Sequence, residues 1–183
     1  MKKATYSASL NYIDREGVVR GTSMDRITAR SFLQTKTLKD HLDLSVSVNA
    51  SITNKQTAST ENQGRSVLDA MYYYNPLVPV KNADGSWYAN TSISQSYNPL
   101  SMVYEDQYKT KRENVARYCQ SEPLHIIDGL DWNLNLSYQN EQYIYSNYNT
   151  TQSQLPNISS RHGQASRSTK GKHQEADGNL RQL

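Results

Sequence analysis

The segment LDLSVSVNASIT places Leu42, Leu44, Val46, Val48, Ala50 and Ile52 in unbroken alternation with Asp43, Ser45, Ser47, Asn49, Ser51 and Thr53. A helix would scatter these residues around its circumference. A strand sends alternate side chains to opposite faces, so this stretch is a strand with one oily face and one wet face. Two architectures use such strands: a β-sandwich, which hides the oily face under a second sheet, and a transmembrane barrel, which turns it to lipid. No run approaches the ~18 apolar residues of a membrane helix.

The same period recurs along the chain. Lys3 to Ile13 sets Tyr6, Ala8, Leu10 and Tyr12 against Ser7, Ser9 and Asn11. Arg26 to Gln34 sets Ile27, Ala29, Ser31 and Leu33 against Arg26, Thr28, Arg30, Phe32 and Gln34, with Phe32 on the polar side. Asn114 to Gln120 alternates poorly, and Leu130 to Gln139 clearly, running on into Tyr143, Tyr145 and Tyr148. The connections differ in length. Asp14 to Ser23 reads as a loop with two glycines, Thr35 to Asp40 is short, residues 54–107 are long and irregular, and Pro123 to Gly129 is a turn. Within the long region, Ser66 and Asp69 form a capping-box pattern that predicts a short helix ending before Asn75–Pro76, and Asn82–Gly85 is a turn signal.

About five strands with loops of unequal length on opposite sides predict an all-β fold. The pattern favours an antiparallel transmembrane β-barrel fragment, with one long extracellular loop containing a short helix, over a soluble secreted β-sandwich carbohydrate-binding module. Composition points the same way. Hydrophobic residues make up 36% of the chain, below the ~45–50% of globular domains, and mean hydropathy is −0.83. Tyrosine outnumbers phenylalanine 14 to 1, a bias suited to surfaces where one end of the ring is wet.

The net charge of +3 is partly carried by Arg161, Arg167, Lys170, Lys172 and Arg181, and no nucleic-acid partner is predicted. Cys119 stands alone, which excludes internal disulfides and cysteine-based metal clusters. His41, His125, His162 and His173 are scattered, Asp128 and Asp131 flank a turn, and Asp14 and Glu16 lie in the first loop. None of these makes a convergent catalytic or metal-ligating set, so no enzyme activity, no catalytic residue, no metal and no cofactor is predicted. Tyr72, Tyr73, Tyr74, Trp87, Tyr88, Tyr97 and Tyr104 crowd the long loop. Trp87, Tyr88 and Tyr97 are candidates for ligand or lid contacts, and the competing reading is that these rings pack the loop's own interior.

The stretch YSASLNYIDREGVVRGTSMDRITAR resembles the barrel of SusC/RagA-type TonB-dependent outer-membrane receptors, through Tyr12, Glu16, Gly17, Val18, Arg26 and Arg30. NPLVPVKNADGSWY, Asn75 to Tyr88, is similar to an extracellular loop of that family. IIDGLDWNLNLSYQNEQ, Ile126 to Gln142, is similar to its periplasmic turn and following strand. The resemblance covers Tyr6 to Arg167. It implies a barrel of about 22 strands, energised uptake of glycans or peptides across the outer membrane, a SusD-type lipoprotein lid and a TonB complex as partners.

On this reading residues 1–160 are part of the receptor barrel, with the long extracellular loop at about 54–107. Plug, TonB-contacting segment, C-terminal barrel strand and signal peptide are missing from the chain, and a fragment of this kind should not transport alone. Open sheet edges would be tolerated neither by a bilayer nor, without aggregation, by water. Residues 161–183 are expected to be a disordered C-terminal tail. The break after Thr169 is read as a frameshift, the alternative being a native polar tail. The coding DNA decides: a stop or an unrelated peptide in the shifted frame eliminates the frameshift.

Overall fold

A computed structural model of the chain describes residues 4–37, 42–58, 66–89, 97–121, 124–127, 130–132, 135–154, 163–176 and 180–182. The strands are β1 (Ala4–Glu16), β2 (Ser23–Thr37), β3 (Leu42–Thr57), β4 (Asp106–Ser121), β5 (Leu124–Ile127), β6 (Leu130–Trp132), β7 (Asn135–Asn149), β8 (Gln164–Ala176) and β9 (Leu180–Gln182). Two helices, α1 (Val67–Tyr73) and α2 (Pro99–Glu105), lie between β3 and β4. Six strands form one sheet in the order β1-β2-β3-β4-β7-β8, and β5-β6-β9 form a second, small sheet. Every neighbour in the six-stranded sheet is antiparallel, and the register runs without a bulge.

The all-β expectation therefore holds, and the antiparallel six-stranded sheet is consistent with a piece of barrel wall. Residues 17–22, 58–105 and 150–163 connect strands at one end of the sheet, and residues 38–41 and 122–134, the latter including β5 and β6, connect them at the other.

The structure corrects the expected layout in four places. The sheet has six strands where five were expected, because residues 164–176 of the supposedly disordered tail pair with β7 from Asn149↔Gln164 to Ser137↔Ala176. Its polar composition carries no apolar period to read. Backbone ladder bonds to β7 order it, and its many charges suit a sheet edge. The fourth strand starts at Asp106 rather than Asn114. The strand expected from Leu130 to Gln139 is divided between β6 and β7, which belong to different sheets. A second helix, α2, stands inside the region read as irregular.

Register assigns each side chain a face. Tyr6↔Leu33↔Val46↔Cys119↔Leu136 is one row of the apolar face, and Leu10↔Ala29↔Ala50↔Val115↔Asn140 is another. No second layer covers this face among the described residues: Tyr6 is 82% and Leu10 76% exposed. The sandwich architecture, which needs that cover, is not what the described residues form.

The band also moves. On β1 it runs from Tyr6 to Tyr12. On β7 only Leu136 and Tyr138 continue it, while Asn140 and Gln142 occupy the rows of Leu10 and Tyr12 and Ile144 lies beyond them toward the other end of the strand. Strands ~4.8 Å apart and tilted by ~40° would meet a flat apolar slab about one residue lower at each step. Such a drift puts Glu113, Asn140 and Gln142 above the slab rather than in it. Arg117 interrupts the band, with its guanidinium 5.9 Å from the Tyr138 ring. Strands of 13 to 16 residues are roughly 43–53 Å long, enough to cross an apolar band ~25 Å tall at a tilt and still project beyond it.

Candidate functional site: the loop crown

The three connections at the long-loop end meet in a small crown. Its apolar centre is Ala58, Val67 and Met102, with Val19, Ala70, Tyr97 and Val103 packed around them. The first connection reaches it through two glycines. A side chain at Gly17 would run into the Thr22 hydroxyl. Gly21, at φ +78°, brings the backbone to within contact of Val103.

The capping box read from the sequence is present. Ser66 Oγ accepts from the Asp69 backbone N–H at 3.0 Å, and Asp69 Oδ2 accepts from the Ser66 N–H at 3.1 Å. The Ser66 hydroxyl also donates to Asp69 Oδ2 at 2.7 Å, and this bond first, then that from the Ser66 N–H, holds the exposed Asp69 carboxyl below its ordinary pKa. The helix ends at Tyr74, in extended backbone, before Asn75–Pro76. The Asn82–Gly85 turn also forms, closed by Gly85 N–H to Asn82 O at 3.0 Å, and it aligns Lys81 opposite Trp87.

Helix α2 depends on Asn98. Its Oδ1 accepts from the Leu100 N–H at 3.1 Å, its Nδ2 donates to Val80 O at 2.7 Å, and its own N–H donates to Gln154 Oε1 at 3.1 Å. Pro99 occupies the first helical turn, where no N–H is needed. One residue therefore caps a helix and ties it to two other loop segments.

Trp87 donates from Nε1 to Glu105 Oε1 at 2.7 Å, stacks on Tyr104 with ring centroids 5.8 Å apart, and has Lys81 Nζ 4.6 Å from its ring. The other Glu105 oxygen accepts from the Thr150 hydroxyl. Gln154 Nε2 donates to the carbonyls of Trp87 and Tyr88 at 3.2 and 3.1 Å. Arg20 of the first connection donates to the Tyr104 hydroxyl at 3.0 Å.

Of the three candidate residues, Trp87 and Tyr88 thus lie on one short hairpin, half-buried, and Tyr97 packs on the apolar centre. Tyr74 bonds to Pro79 O at 3.2 Å, and burial raises its pKa. Tyr72 and Tyr73 meet edge to face at 5.2 Å and remain exposed. With Leu68, Met71 and Leu77 they form an uncovered apolar patch on and beside α1.

Beneath the crown Asp106 is buried. Its Oδ1 accepts from Asn149 Nδ2 at 2.5 Å and from Ser153 Oγ at 2.7 Å. Sequence reading missed this group and the Glu105–Trp87 pair, because each joins residues far apart in the chain. The Asn98–Pro99 pair was a legible signal for α2: an N-cap residue followed by proline at the first helical position.

His173 is exposed on β8, and Asp14 and Glu16 stand opposite Asp25 and Ser23 at the top of β1. His41, His162 and Asp128 lie outside the described residues. No cluster of three or more metal-ligating residues occurs among the described residues.

A short exposed helix, an aromatic hairpin and a strand end, on a sheet bare on its apolar face, offer contact surfaces and hydrogen-bonding groups. No family model matches the chain. The chain is similar to a TonB-dependent receptor. That relative, TonB-dependent receptor P3 of Formosa agariphila, is 26% identical over 143 residues, and the match covers 74% of this chain and 14% of the relative. The chain thus aligns with about one-seventh of that receptor's length.

Proposed function

We propose that the chain is part of the barrel wall and one extracellular loop of a TonB-dependent receptor of the SusC/RagA type, resident in the outer membrane. The single observation that carries this reading is the uncovered apolar band on one face of an open antiparallel sheet whose other face is mostly polar. Such a sheet in water would expose apolar surface far beyond what monomeric proteins show, and in a bilayer the same surface is solvated by lipid. The similarity to a TonB-dependent receptor supports it independently.

On this reading the polar face looks into the pore and the crown stands outside the cell. The parent receptor takes up glycans or peptides with energy from the TonB complex. The exposed patch of Leu68, Met71, Tyr72, Tyr73 and Leu77 suits contact with a SusD-type lid, and Trp87, Tyr88 and Tyr97 order the loop that presents it. The role of this stretch is passive, without bond-making or bond-breaking chemistry, and transport needs the rest of the parent.

The test is residue-by-residue lipid accessibility. With Cys119 replaced by serine, single spin labels are placed at Leu10, Ala29 and Ala50, and at Ser9, Arg30 and Asn49, in these strands within the parent receptor reconstituted in vesicles. Dissolved oxygen should relax the first set and a water-soluble nickel chelate the second. Equal nickel access to both sets eliminates the barrel reading.

A further inference from the structure

Register sorts the charges as well as the apolar residues. The polar face of the six-stranded sheet carries Arg15, Arg26, Arg30, Lys36, Lys55, Arg112, Lys170 and Lys172 against Asp43, Asp106 and Glu141, a net charge of 8 − 3 = +5 among the described residues. The apolar face carries Lys109, Lys111, Arg117 and Arg167 against Asp14, Glu16, Asp25, Glu113 and Glu175, a net charge of 4 − 5 = −1. The positive charge of the sheet is therefore one-sided.

The carboxylates of the positive face are already engaged. Asp43 pairs with Lys36 at 3.1 Å, Glu141 pairs with Arg112 and accepts from the Tyr143 hydroxyl at 2.8 Å, and Asp106 is buried under the crown. Lys172 stands directly opposite Glu141 in register. Arg15, Arg30, Lys55 and Lys170 are exposed, and among the described residues none of them forms an ion pair. Arg15, Lys55 and Lys170 lie toward the crown end and Arg30 at mid-sheet, interleaved with Asn11, Thr28, Ser51, Thr53 and Asn114, short polar side chains that leave the cations accessible.

We infer that this face recognises an anionic chain, an oligosaccharide bearing sulfate or carboxylate groups, passing along the polar side of the sheet. The inference rests on the pore-facing assignment made above and names the substrate class for it. A wall of one sign beside low-dielectric lipid concentrates counter-ions of the opposite sign. Arginine's forked donors match sulfate and carboxylate oxygens. A neutral glycan would draw nothing from five uncompensated positive charges, which then only repel one another.

The test compares dextran sulfate with dextran of equal chain length, using the parent receptor that contains this stretch, reconstituted in zwitterionic vesicles. The sulfated chain should bind at least about tenfold more tightly, and its advantage should shrink severalfold when salt is raised from about 50 to about 200 mM. Two triple variants remove the same charge from opposite faces: R15Q/R30Q/K55Q and K109Q/R117Q/R167Q. Only the first should lose the preference. If the first fails to fold, the single variants R30Q and K55Q should each weaken binding of the sulfated chain, and K109Q should not.

Equal binding of the two dextrans, or equal loss in both triples, overturns the inference. Binding of an acidic peptide with no binding of dextran sulfate overturns it too, in favour of an acidic protein segment as the occupant. The spin-label readout separates the failures. If lipid accessibility is as expected and the dextran preference is absent, only the substrate class falls. If accessibility is wrong, the barrel reading falls with it.

Discussion

In the sheet the large apolar side chains are the exposed ones: Tyr6, Leu10, Tyr12 and Leu33 stand bare on one face. In the crown the order is reversed. Met102 is 1% exposed and Val67 3%, and with them Asn98, Ser101, Asp106 and Asn149 are buried. The sheet is held by ladder hydrogen bonds that any side chain permits, so its sequence is free to match two solvents. The crown has only one solvent and little apolar volume, so it is held by named polar side chains reaching across long sequence distances. A sheet of this kind tolerates many substitutions that keep polarity, whereas a crown of this kind does not.

The largest effect should come from inverting polarity on the sheet. Ala50→Arg puts a guanidinium in the middle of the apolar face, between Ala29 and Val115. In a bilayer this should cost about 2–4 kcal/mol. Ser51→Arg, one residue along and on the polar face between Thr28 and Asn114, should cost little. Urea unfolding from lipid vesicles reads the difference. Equal costs would show that the two faces do not meet different solvents and would end the comparison.

Next in size is the crown's centre. Met102→Ala removes the largest side chain of a cluster with few members, at a cost of about 2 kcal/mol, the low end of the range because loops can collapse around the gap. Hydrogen exchange should show α1 and α2 losing protection while β2 to β4 keep theirs. Loss of protection in the strands as well would mean that crown and sheet fold as one unit.

Asn98→Ala should be slightly milder, about 1–2 kcal/mol, since it removes the cap of α2 and leaves the Leu100 N–H and Val80 carbonyl without this partner. Asn98→Asp restores the cap acceptor but not the donor to Val80. It should recover the helix and not the tie to the 80–88 hairpin. Backbone amide shifts of Leu100 and Tyr88 separate the two roles.

What was legible in the sequence follows the same division. Alternation exposed β1 to β3 because one face of those strands is mostly apolar and the other mostly polar. It failed at β8, where every described side chain is polar or small and exposed and only the backbone has a partner. It misjudged the start of β4, because Lys109, Lys111 and Glu113 fall on the apolar face above the drifting band. In the crown, local signals were readable: the Ser66–Asp69 box, the Asn82–Gly85 turn, and Asn98–Pro99 for anyone looking for a cap before a proline. Contacts set by strand pairing were not. Asp106 meets Asn149 only because β4 and β7 are in that register, and no local pattern encodes a register.

The smallest effect sharpens the comparison at a single helix cap of the crown. Asp69 has its pKa lowered from the ordinary 3.8, first by the hydrogen bond from the Ser66 side chain and then by that from the Ser66 backbone. A depressed carboxyl stabilises the folded helix above its unfolded pKa and loses that contribution as pH falls through its folded value. Helix α1 should therefore loosen below about pH 4, and Ser66→Ala, which removes the larger cause, should narrow that window. Asp84, lowered by Ser86 in the neighbouring turn, should titrate in the same direction without moving α1. Ladder bonds in the sheet carry no proton that titrates there, so strand amides should hold through the same range. Residue-resolved hydrogen exchange between about pH 3 and pH 5 checks this. An α1 whose protection is flat across that interval would mean that the helix rests on Val67 and the apolar centre, and not on its cap.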